Sequence, residues 1–321
     1  MHTRAHIEKD GLLFAGITVL TWGLTGIFVR LLPGFPALFI TGFRLLIALA
    51  AALPFVALNT QKRTAIFSML RRPAAWMLAS ALVAYYVLAV SAYQFGPVGE
   101  VALFLGTSPV FVLAGRAIRG RKVLRGEKIG ALIALCGVVL VLLPKLSIAS
   151  GISRQRLLGD ALALLSAAAS AVYASTSRSV RQRDPQAADA TLTALLGFAI
   201  GSALLVVSSV LSPTSVASVA ETRVALIFIA LGVVSTAIPS ITYAVASQKL
   251  PPIISTTSQL MIPVVATIAA AFLLREMPSF WLLPGGALVL FGIIYMFRHG
   301  SQAAVVPPKS ETDAVACVTG D

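Results

Sequence analysis

The sequence carries one pattern twice, first as Ala92-Tyr93-Gln94-Phe95-Gly96-Pro97 and again as Ala246-Ser247-Gln248-Lys249-Leu250-Pro251. The two copies lie 154 residues apart, and a second proline follows each at the same offset, Pro109 and Pro263. Arg121-Lys122 and Arg275-Glu276 keep that offset, and Gly137 matches Gly292 with one residue of drift. This run of matches predicts that the chain consists of two related halves.

Both copies connect long apolar segments. A membrane-spanning helix needs about 20 mainly apolar residues, and ten segments meet this requirement, near 11–30, 36–58, 73–95, 97–118, 127–144, 157–177, 190–211, 224–245, 251–274 and 279–297. The composition agrees, because 58% of the 321 residues are hydrophobic, 12% are charged, and the mean hydropathy is +0.91. We therefore predict an all-α integral membrane protein with ten transmembrane helices and the lipid bilayer as its solvent.

The basic residues indicate the orientation. With the N-terminus inside, 18 of the 25 Lys and Arg residues lie in inner segments and six lie in outer loops. Because inner loops of membrane proteins are enriched in positive charge, we expect both termini in the cytoplasm and the chain in a cell membrane, with a bacterial inner membrane favoured. The net charge of +13 thus belongs to loops, which argues against a nucleic-acid partner.

The predicted halves contain five spans each, and an odd number turns the second half upside down relative to the first. The loops after spans 2 and 4 carry four and six basic residues, and their counterparts after spans 7 and 9 carry one each. Such inverted repeats are typical of secondary transporters that bind substrate between the halves. The predicted divisions are a cytoplasmic N-terminus at 1–10, a first five-span repeat at 11–144, a connecting loop at 145–156, a second repeat at 157–298 and a disordered cytoplasmic tail at 299–321.

Several motifs in both halves are similar to those of one family. They are Leu20-Thr21-Trp22-Gly23, Thr41-Gly42-Phe43-Arg44, Pro263 followed by Leu273-Leu274-Arg275-Glu276, Gly285-Gly286-Ala287-Leu288 and Phe291-Gly292. In their order and spacing, over residues 11–298, they resemble the EamA-type transporters of the drug/metabolite transporter superfamily. The resemblance implies a carrier of amino acids, other metabolites or drugs, often an exporter. One departure is Lys122, where the family often has Glu. Because this position is predicted to be cytoplasmic, we expect no effect on transport.

Arg44 and Glu100 are ionisable residues inside the predicted spans. A charge in the bilayer costs free energy unless it faces a partner or water. Arg44 is a candidate to hold a substrate carboxylate, or else to form a structural ion pair, for which Glu100 is within reach. Glu100 is a candidate for proton uptake during the transport cycle, or else a solvated carboxylate at a helix end.

Aromatic and polar side chains in the spans are further candidates for substrate binding, because polar groups there must find partners or line water and aromatic faces suit amphipathic solutes and cations. With Arg44, the candidate set is Trp22, Tyr85, Tyr86, Tyr93, Gln94, Tyr173, Tyr243, Gln248, Ser258 and Gln259. Tyr93 and Gln94 are alternatively interfacial residues. Pro109 and Pro263 fall within spans, where they kink the helix and either expose backbone to a cavity or only curve the helix.

Other classes of function lack their sequence signals. The histidines lie outside the spans, and we find no nucleophile–base pair, metal-ligand spacing or phosphate-binding loop, so we predict no enzyme activity, no cofactor and no metal. Small-residue stripes such as Gly197-x-x-x-Gly201 favour close helix packing, within the chain or in a homodimer. The sequence thus favours a secondary transporter that exports small-molecule metabolites such as amino acids by alternating access. The alternatives are a multidrug or cation efflux carrier and a membrane receptor or scaffold.

Overall fold

The structure, a computed structural model, describes residues 2–58, 60–146, 154–183, 189–211, 219–250, 254 and 257–300. Within these residues it consists of helices and their connections and contains no strand. Nine helical segments of the described chain are long and apolar enough to cross a membrane, and a shorter apolar helix, Gln259–Leu273, stands at the position of the ninth predicted span. The prediction of an all-helical, multi-pass membrane protein is confirmed.

The α-helices, in chain order, are α1 (His2–Gly23), α2 (Thr25–Arg30), α3 (Ala37–Ala57), α4 (Thr60–Leu70), α5 (Pro73–Phe95), α6 (Val98–Leu105), α7 (Ser108–Ile118), α8 (Arg125–Leu146), α9 (Arg154–Arg183), α10 (Ala190–Ser202), α11 (Leu204–Leu211), α12 (Thr222–Ile229), α13 (Ile238–Lys249), α14 (Ile262–Leu273) and α15 (Leu282–Gly300). A π-helix, Ala230–Ala237, joins α12 to α13, and a 3-10 turn, Gln259–Met261, precedes α14. Several of the spans are therefore interrupted helices.

The two matched prolines both lie at helix starts. Pro109 occupies the first turn of α7, and Pro263 occupies the first turn of α14. The first turn tolerates proline because its N–H groups have no partner within the helix. Before Pro109 the helix is interrupted, and Thr107 closes the break by donating from N and from Oγ1 to the carbonyl of Phe104, at 3.0 and 2.6 Å.

The helices depart from the predicted boundaries in several places. α4 lies in a segment predicted as a loop. The prediction missed it because its eleven residues are too few to span a bilayer and because Lys62 and Arg63 lower its hydropathy. α9 and α15 continue to Arg183 and Gly300, past the apolar residues on which the predicted ends depend. The predicted disordered tail lies outside the described residues from 301 onward, as do residues 147–153 of the predicted connecting loop.

Each of the principal helix pairs joins a helix of the first predicted half to a helix of the second. α5 packs along α9, and α1 packs along α13, whereas α8 packs on α15, α6 on α14 and α3 on α10. If each span of one half is replaced by the corresponding span of the other half, the pair α5–α9 becomes the pair α13–α1. Each of the other three pairs is converted into itself. The main buried apolar cluster joins α2, α6, α8, α14 and α15, and a second cluster lies between α3, α5 and α10.

Glycines allow α8 and α15 to meet backbone to backbone. Gly130 faces Gly292, and Gly137 faces Gly285. Gly130 and Gly285 are 155 positions apart, as are Gly137 and Gly292, so the repeat relates the first contact to the second. This offset is the one that relates Gly137 to Gly292 in the sequence, so the packing of these two helices follows the internal repeat.

Candidate functional site

Arg44 lies at the centre of a polar cluster between α3 and the π-helix. The residue is only 1% exposed. Its Nε donates to Oγ1 of Thr236 at 3.0 Å, and its Nη2 donates to the same oxygen at 2.7 Å and to the carbonyl of Ser235 at 3.3 Å. Gly232 permits this approach, because a Cβ there would lie 2.9 Å from the carbonyl oxygen of Arg44.

The π-helix provides the acceptors of these bonds. Backbone hydrogen bonds in a π-helix connect residues five apart rather than four, and the Thr236 side chain follows the same spacing, donating to the carbonyl of Leu231 at 2.8 Å. Ser235 Oγ donates to the carbonyl of Thr21 in α1 at 2.9 Å. The widened segment therefore connects α1 and α3, and such segments often occur at functional sites.

The partners of the Arg44 guanidinium in the described chain are all neutral. They are a hydroxyl, a carbonyl and the ring of Tyr86, whose centroid lies 4.9 Å from Cζ. No carboxylate of the described residues pairs with Arg44, and its Nη1 makes no hydrogen bond to them. Because a buried cation without a counter-charge is costly in a bilayer, the cluster has the chemistry of an anion site.

Tyrosines surround this cluster. The rings of Tyr85 and Tyr86, neighbours on α5, have centroids 5.3 Å apart. Tyr85 and Tyr93 are close enough to the Arg44 guanidinium to interact with it electrostatically. Tyr173 on α9 interacts in the same way with Tyr86. Three of the tyrosines among the sequence candidates, Tyr85, Tyr86 and Tyr93, therefore lie around one buried cation, and Tyr173 interacts with one of them.

A second aromatic pair connects α1 and α13. The ring centroids of Trp22 and Tyr243 lie 5.7 Å apart. On the same helices the hydroxyls of Thr18 and Thr242 share a hydrogen bond of 2.7 Å. Since α1 and α13 belong to different predicted halves, this pair lies where a substrate site between the halves is expected.

The other sequence candidates lie farther from Arg44 along the spans. Gln94 lies at the end of α5, where its amide donates to the carbonyl of Phe35 at 2.7 Å. Ser258 and Gln259, both half-buried, lie just before α14. The side chain of Gln248 lies outside the described part of the chain. The structure therefore groups Tyr85, Tyr86 and Tyr93 near Arg44, pairs Trp22 with Tyr243, and places Gln94 at the end of α5.

Glu100 lies in different surroundings from Arg44. It is 3% exposed and belongs to the first turn of α6. With Arg30, Arg156 and Glu276 it lines a cavity of about 260 Å³ between α6, α14 and the ends of α2 and α9. The hydrogen bonds of Arg44 thus go to the π-helix, and Glu100 belongs to a separate, charged cavity at one end of the spans.

Glu276, which the sequence places in the repeat and in a family motif but not among the site candidates, lies at the edge of this cavity. Its Oε1 accepts a hydrogen bond of 2.9 Å from the backbone N–H of Val98, the first residue of α6. The N–H groups at the start of a helix have no partner within the helix, and a carboxylate there is favourable. The pair is separated by 178 residues, so no local pattern predicts it.

Asp160 is a further acidic residue that the sequence candidates omit, although it falls within the predicted sixth span. It is 1% exposed and follows Gly159, where an added Cβ would lie 2.7 Å from the backbone nitrogen of Gly96. A count of acidic residues in the apolar segments would find it. Ser235 and Thr236 carry no such signal, because hydroxyl side chains are common in membrane helices.

The groups around Arg44 suit an organic solute. Within the described residues, no group of three or more His, Cys, Asp and Glu side chains could hold a metal ion. A guanidinium, hydroxyls and aromatic faces instead provide one charge, several hydrogen bonds and stacking surfaces, which is the usual composition of a small-molecule site.

Comparisons with known proteins agree with this architecture. The model of the EamA-like transporter family matches the chain twice, at residues 9–143 and 157–298. No curated protein matches. A solved structure described only as the crystal structure of a protein is similar, with a TM-score of 0.62 and 20% identity over 90% of this chain and 97% of that chain, which concerns the fold alone. Since the two family matches cover most of the sequence, the protein belongs to the EamA-like transporter family and is a membrane transporter of the drug/metabolite type.

Proposed function

We propose that the protein is a secondary transporter that exports small carboxylate-bearing metabolites, such as amino acids, by alternating access. The observation that carries this proposal is the buried guanidinium of Arg44, whose described partners are neutral. A substrate carboxylate would supply the counter-charge and accept a hydrogen bond from Nη1. Such charge-assisted bonds are about twice as strong as neutral ones.

The proposed pathway lies between two inverted five-span repeats, at 11–144 and 157–298, with α14 and the residues before it as the ninth of ten spans. Three observations support this arrangement: the exchange of helix pairs between the halves, the glycine contacts related by 155 residues, and a family model that matches each half. The bias of basic residues supports cytoplasmic termini in a bacterial inner membrane.

The aromatic residues restrict the substrate further. Tyr85 and Tyr86 lie beside Arg44, and Trp22 and Tyr243 form a pair between the halves. Once a carboxylate is bound, these faces can accept the substrate's amine or an apolar side chain. The charge of Arg44 repels a cationic drug, so the cluster favours a zwitterion or an anion over the multidrug alternative.

Glu100 is the proposed site of proton uptake. It is an acidic residue buried at the edge of a cavity of about 260 Å³, where a carboxyl group can exchange protons with solvent when the pathway opens. The variant E100Q should lose the pH dependence of transport. Transport with an unchanged pH dependence in E100Q would contradict this role.

The proposal is tested in cells that overproduce the protein. Toxic amino-acid analogues and cationic dyes are applied, and growth and efflux are compared for the wild type, R44A and R223A at equal amounts of protein in the membrane. Arg223 is exposed near the start of α12, so R223A controls for the loss of a positive charge.

We expect protection from a narrow set of analogues, lost in R44A and kept in R223A. Protection from dyes that survives in R44A would instead favour multidrug efflux. Protection from no solute would contradict export and favour a receptor or scaffold.

A further inference from the structure

We propose that Glu276 is a gating residue that holds the outer end of the transport pathway closed, and that the inner end lacks the equivalent bond. The inference rests on the alternating-access function proposed above. It assigns a role to a residue outside the substrate site, and it explains why a transporter of this architecture would rest open to the cytoplasm, as an exporter should.

The bond between Glu276 and Val98 crosses the two halves. Glu276 follows α14 in the second half, and Val98 begins α6 in the first half. The carboxylate oxygen lies 2.9 Å from the Val98 nitrogen, and Val98 is fully buried. Because α6 and the segment after α14 both line the charged cavity, they cannot separate at this end unless the bond breaks.

The backbone before Glu276 is strained in a way that presents the carboxylate. Arg275 has a φ of 54°, the only positive φ of a non-glycine residue in the described chain. A side chain in this left-handed region is sterically disfavoured. Near the end of α7 the left-handed residue is Gly120, with a φ of 67°, one position before Arg121, which the offset relates to Arg275. A glycine adopts this conformation without strain, whereas the strain at Arg275 indicates that neighbouring contacts maintain it.

The related positions at the inner end cannot form this bond. The offset of 154 residues relates Val98 to Pro252 and Glu276 to Lys122. Proline has no backbone N–H to donate, and a lysine ammonium has no acceptor. Both the donor and the acceptor are therefore missing, and Lys122 is exposed on the surface.

The polar contact that joins the halves near the inner end is weaker. Lys249, three residues before Pro252, pairs with Asp10 at 3.1 Å, and the side chains are 32% and 56% exposed. Exposed ion pairs contribute little to stability. With a buried bond at the outer end and an exposed pair at the inner end, the outer-closed, inward-open state is favoured. Lys122, which stands where an acceptor would be needed at the inner end, therefore affects transport.

The test measures access to the outer cavity without any substrate. Ala270 lines that cavity and is 2% exposed, so A270C in a C136A/C317A background reports its opening to a membrane-impermeant thiol reagent added outside intact cells. The gate is removed by E276A, which deletes the acceptor, and by E276D, which keeps the charge but shortens the side chain. The matched control is E221A, because Glu221 is an exposed acid that also precedes a helix, α12, without bonding to its N–H groups.

We expect the thiol introduced by A270C to react roughly tenfold faster in E276A and E276D, the change that loss of one hydrogen bond to a charged group produces, and at the wild-type rate in E221A. Unchanged labelling in both Glu276 variants, with the protein present and monodisperse after extraction, would overturn the proposal.

The asymmetry is tested by building the missing bond. The double variant K122E/P252A introduces an acceptor and a donor at the two sequence positions that the offset relates to Glu276 and Val98, and each single variant introduces only one. We expect faster labelling of the A270C thiol in the double variant alone, because a closed inner end increases the outward-open population. Equal rates in the double and single variants would overturn the asymmetry.

These results are independent of the substrate. A shift in labelling without export of any carboxylate would retain the gate and reject the substrate proposal. Export that depends on Arg44, without a shift in labelling, would do the opposite.

Discussion

A Cβ placed on Gly130 would lie 2.5 Å from the carbonyl oxygen of Gly292, and a Cβ placed on Gly292 would lie 2.5 Å from the carbonyl oxygen of Gly130. Neither backbone can move away without separating α8 from α15. We therefore expect G130A and G292A each to lower the free energy of unfolding by about 1–3 kcal/mol, the usual cost of overpacking.

The measurement is the thermal stability of the detergent-solubilised protein. Gly16 and Gly115 provide the control, because a Cβ at either would meet no atom within 4 Å. Alanine in place of a helical glycine is intrinsically favourable by about 0.5–1 kcal/mol, so G16A and G115A should be neutral or stabilising. Equal losses in all four variants would show that backbone contact is not the cause.

Replacing Thr236 by valine should destabilise the protein and impair transport together. Its hydroxyl accepts two hydrogen bonds from Arg44, and hydrogen bonds to a charged group contribute about 1.5–3 kcal/mol. Thr193 is the matched control, since it is 1% exposed and its Oγ1 has no hydrogen-bond partner among the described residues. T193V should be neutral or stabilising by up to about 1 kcal/mol. A T236V protein as stable and active as T193V would contradict this account of Arg44.

Two of the ion pairs in the described chain should differ in importance. Glu127 is 8% exposed, contacts Arg116 at 2.7 Å and also accepts from the N–H of Leu124 at 2.9 Å. E127A should cost about 1–2 kcal/mol, as the loss of a helix cap usually does. Asp10 is 56% exposed in its pair with Lys249, and D10A should change stability by less than about 0.5 kcal/mol. Thermal unfolding of both variants at two salt concentrations tests the ranking.

Glycine in place of Arg275 should raise stability. The left-handed conformation at φ 54° costs a side chain about 1–2 kcal/mol, from which the greater entropy of the unfolded glycine chain subtracts about 0.5–1 kcal/mol. R275A keeps the Cβ and should give no gain, which makes it the control for loss of the charge. A stabilisation shared by both variants would attribute the effect to charge rather than to the backbone.

The spans and the repeat are predictable because both depend on local properties of the chain. Apolar length marks a membrane helix, and Gln94, Pro97 and Pro109 recur at a fixed offset. The contacts of the site are not predictable in this way. Arg44 meets Thr236 across 192 residues, and only the folded chain shows that its partner is a hydroxyl rather than Glu100. The short α4 escapes prediction because eleven residues with two basic side chains resemble a loop in a hydropathy profile.

The π-helix determines which way α13 faces. Each residue of an α-helix advances by about 100°, and a π-turn holds more residues than an α-turn. If Ala230–Ala237 kept all its residues and became α-helical, the surplus residue would rotate α13 by about 100° relative to α12. Tyr243 would then leave Trp22, and Thr242 would leave Thr18. The π-turn thus absorbs the surplus residue and sets the direction that the whole second part of this span faces.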